Sequence, residues 1–257
     1  MKLSIITINL NDASGLKRTI ESVESQTFQD FQYIVIDGNS NDGSLEYIAT
    51  SERINDSISE QDSGVYDAMN KGIDVAKGEY LLFLNSGDTL YSEETLMKIM
   101  PELGQADLIY GNLYLNDPEN PRVHTFPEKL TFKYLFHHFL GHPSTFIKRC
   151  LFKQFGYYDL SYPIVADWAF MLTVIAKENA STKHIEQVIS IFEMDGMSAN
   201  PANVTQILGE RKHFLQRTFP LFYADYVDFD HQYVTWDRIR SSKGFRLLKA
   251  LGVKKFQ

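Results

Sequence analysis

Three runs of hydrogen-bonding residues interrupt the apolar N-terminal part of the chain: Thr7 with Asn9, Asp37-Gly38-Asn39-Ser40-Asn41-Asp42-Gly43, and Asn85-Ser86-Gly87-Asp88. Asn, Asp, Gly and Ser are the ordinary vocabulary of turns, so each run taken singly reads as a turn. Each also follows an apolar run, and in an open parallel sheet ligands bind just beyond the carboxyl ends of the strands. The runs are not calcium loops, because in the stretch from Asp37 the sixth position is Asp42 where Gly is needed and the twelfth is Ile48 where Glu is needed. Neither G-x-G-x-x-G nor G-x-x-x-x-G-K-[ST] occurs, which argues against dinucleotide oxidoreductases and P-loop NTPases. His138 and His142 have the i, i+4 spacing of a zinc pair, but Gly141 and Pro143 would distort the helix that such a pair needs.

The elements that must position these runs are legible as alternating apolar stretches. Leu3 to Ile8, Tyr33 to Ile36 and Tyr80 to Leu84 read as strands, and the stripes Leu16/Ile20/Val23 and Val65/Met69/Ile73 read as helices. Continuous apolar strands suit a parallel sheet covered on both faces. Ser14 stands as the cap of the first helix, Gly78 follows the third, and Ser92 with Glu93 and Glu94 opens the next. Further on, the pattern predicts a strand over Leu108 to Leu115, a turn over Asn116 to Pro121, a helix over Phe132 to Phe139, a long helix from Asp167 through Ile175, and a strand over Val188 to Phe192.

With 257 residues, 44% hydrophobic and 23% charged, the chain can bury a full core. The formal charge of −8 argues against nucleic acid as a partner, since phosphate contacts need clustered Lys and Arg. Cys150 is the single cysteine, which rules out an intramolecular disulfide and suits a reducing compartment. The N-terminal apolar run turns polar at Asn9, too short for a signal sequence or a span, so the expected location is cytoplasmic.

A longer series is specific as a whole. Ser4-Ile5-Ile6-Thr7-Ile8-Asn9, Val35 to Gly43, Asp62-Ser63-Gly64-Val65-Tyr66-Asp67-Ala68-Met69-Asn70-Lys71-Gly72-Ile73, and Gly78 to Asp88 resemble, in order and spacing, the family 2 glycosyltransferases of the GT-A fold. The resemblance implies an α/β architecture: a Rossmann-like, predominantly parallel sheet flanked by helices, with a catalytic domain over residues 1–220 and a helical C-terminal extension over 221–257. It implies a sugar moved with inversion from a nucleotide-diphosphate donor to a hydroxyl of a saccharide or lipid-linked saccharide. Thr7 and Asn9 would line the base and ribose pocket, and Asp37 would accept a hydrogen bond from the base. A pyrimidine imide offers that N–H, so a UDP-sugar is favoured. Asp62, Asn70 and Lys71 would border ribose and diphosphate, beside Asn85, Ser86 and Gly87. Asp88, last in the D-x-D-type signature, would hold Mn2+ or Mg2+ to neutralise the leaving diphosphate. Asp167 would be the base, and His142 and Trp168 would meet the acceptor.

Competing roles accompany several of these residues. Asp88 and Asp167 suit turn or helix caps, Lys71 a solvated charge, His142 a structural histidine, and Trp168 a core residue. The Asp195-Gly196-Met197-Ser198 loop, a donor cover by resemblance, reads equally as a plain turn. Asn85 stands where many relatives carry a carboxylate, which keeps open a non-catalytic nucleotide-sugar or carbohydrate-binding protein that has lost turnover. Seven basic residues and no acids lie between Arg238 and Gln257, and Phe245, Leu247, Leu248 and Leu251 alternate with charge there. This tail reads either as a peripheral contact with the inner membrane face through 238–257 or as packing on the domain.

Overall fold

Every residue of the strands β1 (Leu3–Asn9), β2 (Gln32–Asp37) and β4 (Tyr80–Phe83) is buried in the computed structural model, which describes residues 1–194, 196–250 and 253. Strands buried on both faces need helices on both, and the chain supplies them by crossover. After β1 comes α1 (Ala13–Glu24), after β2 comes α2 (Ser44–Thr50), and the edge strand β3 (Asp56–Ser59) leads into α3 (Val65–Val75) ahead of β4. The strands lie in the order β3-β2-β1-β4, all parallel, with Asn9 paired to Asp37 at their carboxyl ends.

Beyond β4 the sheet is mixed. The chain continues through β5 (Thr89–Leu90), α4 (Thr95–Ile99), β6 (Leu108–Asn116), β7 (Arg122–His124), α5 (Phe132–His137), β8 (Thr145–Lys148), α6 (Arg149–Phe155), α7 (Ala166–Leu172) and β9 (Thr182–Glu193). Strand β8 runs antiparallel between β4 and β6, β6 is parallel to β9, and β5 and β7 pair antiparallel at the margins. Two reversals restore the direction of β4, so β6 and β9 also end on its carboxyl edge. The parallel character is thus concentrated in the first four strands of the order.

One core layer packs Leu16, Ile20 and Val23 of α1 against Leu3, Ile5, Tyr33, Val35, Tyr80 and Leu82. On the other face α3 sits so close that a Cβ at Gly72 would lie 2.5 Å from Ile6 Cγ2, so only glycine allows this approach. The cap of α1 is Asp12 and not Ser14: Asp12 Oδ1 accepts from Gly15 N at 2.9 Å, because the helix starts at Ala13, two residues earlier than a cap at Ser14 implies. The aromatic helix α5 stops at His137, and the helix expected from Asp167 is α7 continued by a π-helical turn, Thr173–Lys177.

The chain divides into two compact units, Met1–Leu208 and Gly209–Gln257. The helix α8 (Val204–Thr218) bridges the division, and α9 (Pro220–Ser241) and α10 (Lys243–Ala250) follow. Among the tail residues, Leu251 and Lys254 to Gln257 lie outside the described residues, as does Asp195 of the loop expected to cover the donor. No described helix is long and apolar enough to cross a membrane.

Candidate active site

The carboxyl ends of β1, β2 and β4 are tied together by side chains. Asn9 donates from Nδ2 to Asp37 Oδ1 at 2.8 Å and accepts from Ser86 Oγ at 2.8 Å. Asp37 Oδ2 accepts from Ser40 N at 2.9 Å and Ser59 Oγ at 2.8 Å. Burial alone would raise the Asp37 carboxyl, but hydrogen bonds from Ser40, Asn9 and Ser59 outweigh it and hold the group below the ordinary carboxylate range. Asp37 is 0% exposed, and its carboxylate organises the edge. Thr7, also fully buried, donates to Leu84 O at 2.7 Å.

The turn after β4 is held from below by a residue that the sequence pattern does not single out. Thr19 of α1 accepts from Gly87 N at 3.0 Å and reaches Asp88 O at 2.8 Å, fixing the turn at both ends. Gly87 adopts φ +97°, which glycine alone takes without strain. Asp88 is buried, and its Oδ1 accepts from Glu193 N at 3.1 Å, which anchors it to the end of β9. Asn85 Oδ1 is buried with no hydrogen-bond partner. An unmet buried acceptor costs about 1–3 kcal/mol, so it points to a group that arrives with the ligand. The turn fits a divalent cation in kind: its donors are hard oxygens, of Asp88 and Asn85. No cluster of three or more His, Cys, Asp or Glu ligands occurs among the described residues, so the shell would be completed by phosphate oxygens and water.

The charge around this edge is lopsided. Two of the helix N-termini that face it are already met by carboxylates: Asp12 and Asp42 on α1, and Asp42 again on Ser44 N of α2, while Asp67 accepts from Ser63 N ahead of α3. Lys71 does not face a diphosphate freely. Its Nζ lies 2.6 Å from Asp62, 2.8 Å from Glu60 and 3.7 Å from Asp67, and hydrogen bonds to Asp62 and Glu60 push its pKa up. Arg18, on the exposed side of α1, makes no ion pair or side-chain hydrogen bond among the described residues, and its Nη2 would lie 3.8 Å from a Cβ placed on Gly87. It is a cation beside the turn, and one more exposed Arg on a helix carries no signal in the sequence.

The structure assigns Asn70 and Trp168 to other work. Asn70 clamps the backbone of Tyr158, donating to its O and accepting from its N, both at 3.0 Å. Trp168 is 4% exposed and donates from Nε1 to Leu135 O at 2.7 Å, which fastens α7 to α5.

Asp167 lies within the first turn of α7, where its side chain caps nothing. Its Oδ1 is 2.7 Å from Tyr66 Oη and its Oδ2 is 3.5 Å from His142 Nδ1, and the side chain is 18% exposed. His142 sits behind it, 8% exposed, with its ring 5.5 Å from that of Phe83 at the end of β4. Burial pushes the His142 imidazole down, against the pull of the Asp167 charge, so it is neutral at pH 7. It packs behind Asp167. Tyr66 and Tyr158 are the other partners that periodicity could not reveal, since both read as ordinary buried aromatics.

A sheet of this topology, with its polar edge at the carboxyl ends, is that of the GT-A fold. Residues 4–156 match the family model described as Glycosyl transferase family 2. A Mycobacterium bovis protein named as a PGL/p-HBAD biosynthesis glycosyltransferase is 32% identical over 204 residues, 76% of this chain and 78% of that one. An uncharacterized glycosyltransferase of Methanocaldococcus jannaschii is 28% identical over 190 residues, 68% of this chain and 65% of that one. S. aureus TarS 1–349 in complex with UDP shares the fold with TM-score 0.64 at 18% identity, over 84% of this chain and 66% of that one. The mannosyltransferase PcManGT of Pyrobaculum calidifontis, in complex with GDP-Man and Mn2+, does so with TM-score 0.64 at 15% identity, over 84% of this chain and 64% of that one. The chain thus spans just under two thirds of each of these two structures. It belongs to glycosyltransferase family 2, and its activity is glycosyl transfer.

Proposed function

We propose that the chain moves a hexosyl or N-acetylhexosaminyl group, with inversion, from a nucleoside-diphosphate donor to a hydroxyl of a saccharide or lipid-linked saccharide in surface-polysaccharide or oligosaccharide synthesis. Asp167 takes the proton of the attacking hydroxyl as the new C–O bond forms and the bond from the anomeric carbon to the diphosphate breaks, which releases the nucleoside diphosphate. Asp88 and Asn85 would hold a Mn2+ or Mg2+ ion, which when bound neutralises charge on the diphosphate. Arg18 adds a fixed positive charge beside the same turn.

The observation that carries this reading is the pairing of a partly exposed, side-chain-oriented carboxylate at Asp167 with the Asn85–Asp88 turn, linked through the contact of Phe83 with His142. Uridine is the base to try first, since TarS, which shares the fold, is seen with UDP and with UDP-GlcNAc. A thermal-shift panel of UDP-, dTDP- and GDP-sugars, with and without Mn2+, is expected to show stabilisation by UDP-sugars in the presence of the ion, followed by nucleotide release on adding acceptor. Binding without release under every acceptor would favour the non-catalytic alternative, and no stabilisation by any donor would remove both.

The tail supports a peripheral contact with anionic lipid at the cytoplasmic membrane face. Arg238, Arg240 and Lys243 stand beside Ile239, 43% exposed, and Leu247, 61% exposed. Deleting residues 238–257 is expected to lower co-sedimentation with phosphatidylglycerol vesicles while leaving donor binding unchanged. Equal sedimentation of the two proteins would discard the contact.

A further inference from the structure

Behind Asp167 runs a buried chain of polar groups drawn from separate elements. Tyr66 comes from the first turn of α3, His142 from the 3-10 turn (His142–Ser144) before β8, and Tyr158 from the segment between α6 and α7. Tyr158 Oη lies 3.2 Å from His142 Nε2, and His142 Nδ1 lies 3.5 Å from Asp167 Oδ2. A carboxylate only accepts, so the nitrogen that faces it carries the hydrogen. Nε2 of the neutral ring is then the acceptor, and the hydroxyl of Tyr158 is its donor. On the opposite oxygen, the single hydrogen of the Tyr66 hydroxyl is shared between Asp167 Oδ1 at 2.7 Å and Ile164 O at 2.6 Å.

The His142 ring has no freedom to turn away. It is bracketed by Phe83 at 5.5 Å and Tyr158 at 5.6 Å between centroids. Tyr158 in turn packs on Phe152 and Phe170, and its backbone is clamped by Asn70.

We propose that His142 is a positioning residue for the transfer step: its Nδ1–H, 3.5 Å from Oδ2 and directed by Tyr158, orients the Asp167 carboxylate by charge–dipole attraction. This rests on Asp167 as the base. The chain orients and does not relay. Burial raises the pKa of Tyr66, helped by the charge of Asp167, and does the same to Tyr158, so both keep their protons. Burial also resists a second proton on His142. These three are the titratable groups that face Asp167, and none of them draws the proton onward near neutral pH.

The full-length chain tests this in two ways. In 15N-histidine spectra, the signal lost in His142→Asn identifies the residue, and it is expected to be the neutral, Nδ1-protonated tautomer from pH 6 to 8. An Nε2-protonated ring would overturn the proposal with no substrate needed. The second test follows nucleotide release from UDP-GlcNAc with Mn2+, with water as acceptor where no saccharide is taken. His142→Leu is expected to lower kcat at least tenfold and leave the donor KM within twofold. His142→Asn, whose amide N–H stands near the Nδ1 position, is expected to recover most of that kcat. An undiminished kcat in a folded His142→Leu protein, or no recovery with Asn, overturns the proposal. Should the Leu variant fail to fold, the tautomer read from the histidine spectra decides by itself. Undiminished turnover in Asp167→Asn would instead remove the base assignment on which the proposal stands.

Discussion

Asp167→Asn leaves the fold and donor binding in place and lowers turnover about 10²- to 10⁴-fold, the range that a positioned general base contributes. The substitution is close to isosteric. The amide oxygen still accepts from Tyr66, and the amide nitrogen meets His142, whose ring can change tautomer to accept from it. What disappears is a basic oxygen on the exposed side of the group. Nucleotide release at saturating donor measures the loss, and the donor-induced thermal shift checks that binding survives. Turnover within a factor of ten of the parent would sink the assignment.

Removing the divalent cation lowers affinity for UDP by about 100-fold or more, equivalent to about 2.7 kcal/mol. The charge of the edge is the ground for this expectation. Asp12, Asp42, Asp62, Asp67, Asp88 and Glu193 stand around the strand ends, and Lys71 is neutralised by three carboxylates. The N-termini of α1 and α2, of the kind that in many folds receives phosphate, are filled by the protein's own acids. Arg18 by itself cannot offset a diphosphate against that field. Calorimetric titration of UDP with Mn2+ and with EDTA, at fixed ionic strength, measures the difference. Asp88→Asn should reproduce most of the loss, because it keeps an acceptor for Glu193 N and removes the charge. Equal affinity in EDTA would show that the protein meets the diphosphate unaided.

These expectations separate residues that local pattern could assign from those it could not. The alternation of buried strands and amphipathic helices is a property of short windows, so the β1-α1-β2 and α3-β4 succession, the turn at Asn85 to Asp88 and the opening of α7 near Asp167 were legible from residue order alone. The bridging strand β8, the edge strand β3 and the reversal of direction beyond β4 were not, because short strands of mixed burial carry little periodicity. Nor was it legible which polar residues face outward. Asp37, Thr7, Asn70 and Trp168 all carry groups suited to ligand contact, and each is turned to a partner within the protein.

Taken by itself, the amino-acid order determined the family, the parallel half of the sheet and the segments that end at its carboxyl edge, because those depend on neighbours a few positions apart. Tertiary structure alone decided the working parts of the site: Tyr66 on Asp167 across 101 positions, Glu193 N on Asp88 across 105, and Thr19 under the turn across 68. A hydrogen bond is set by distance and angle in space, and no window of sequence encodes which two distant groups the fold will bring within three ångströms.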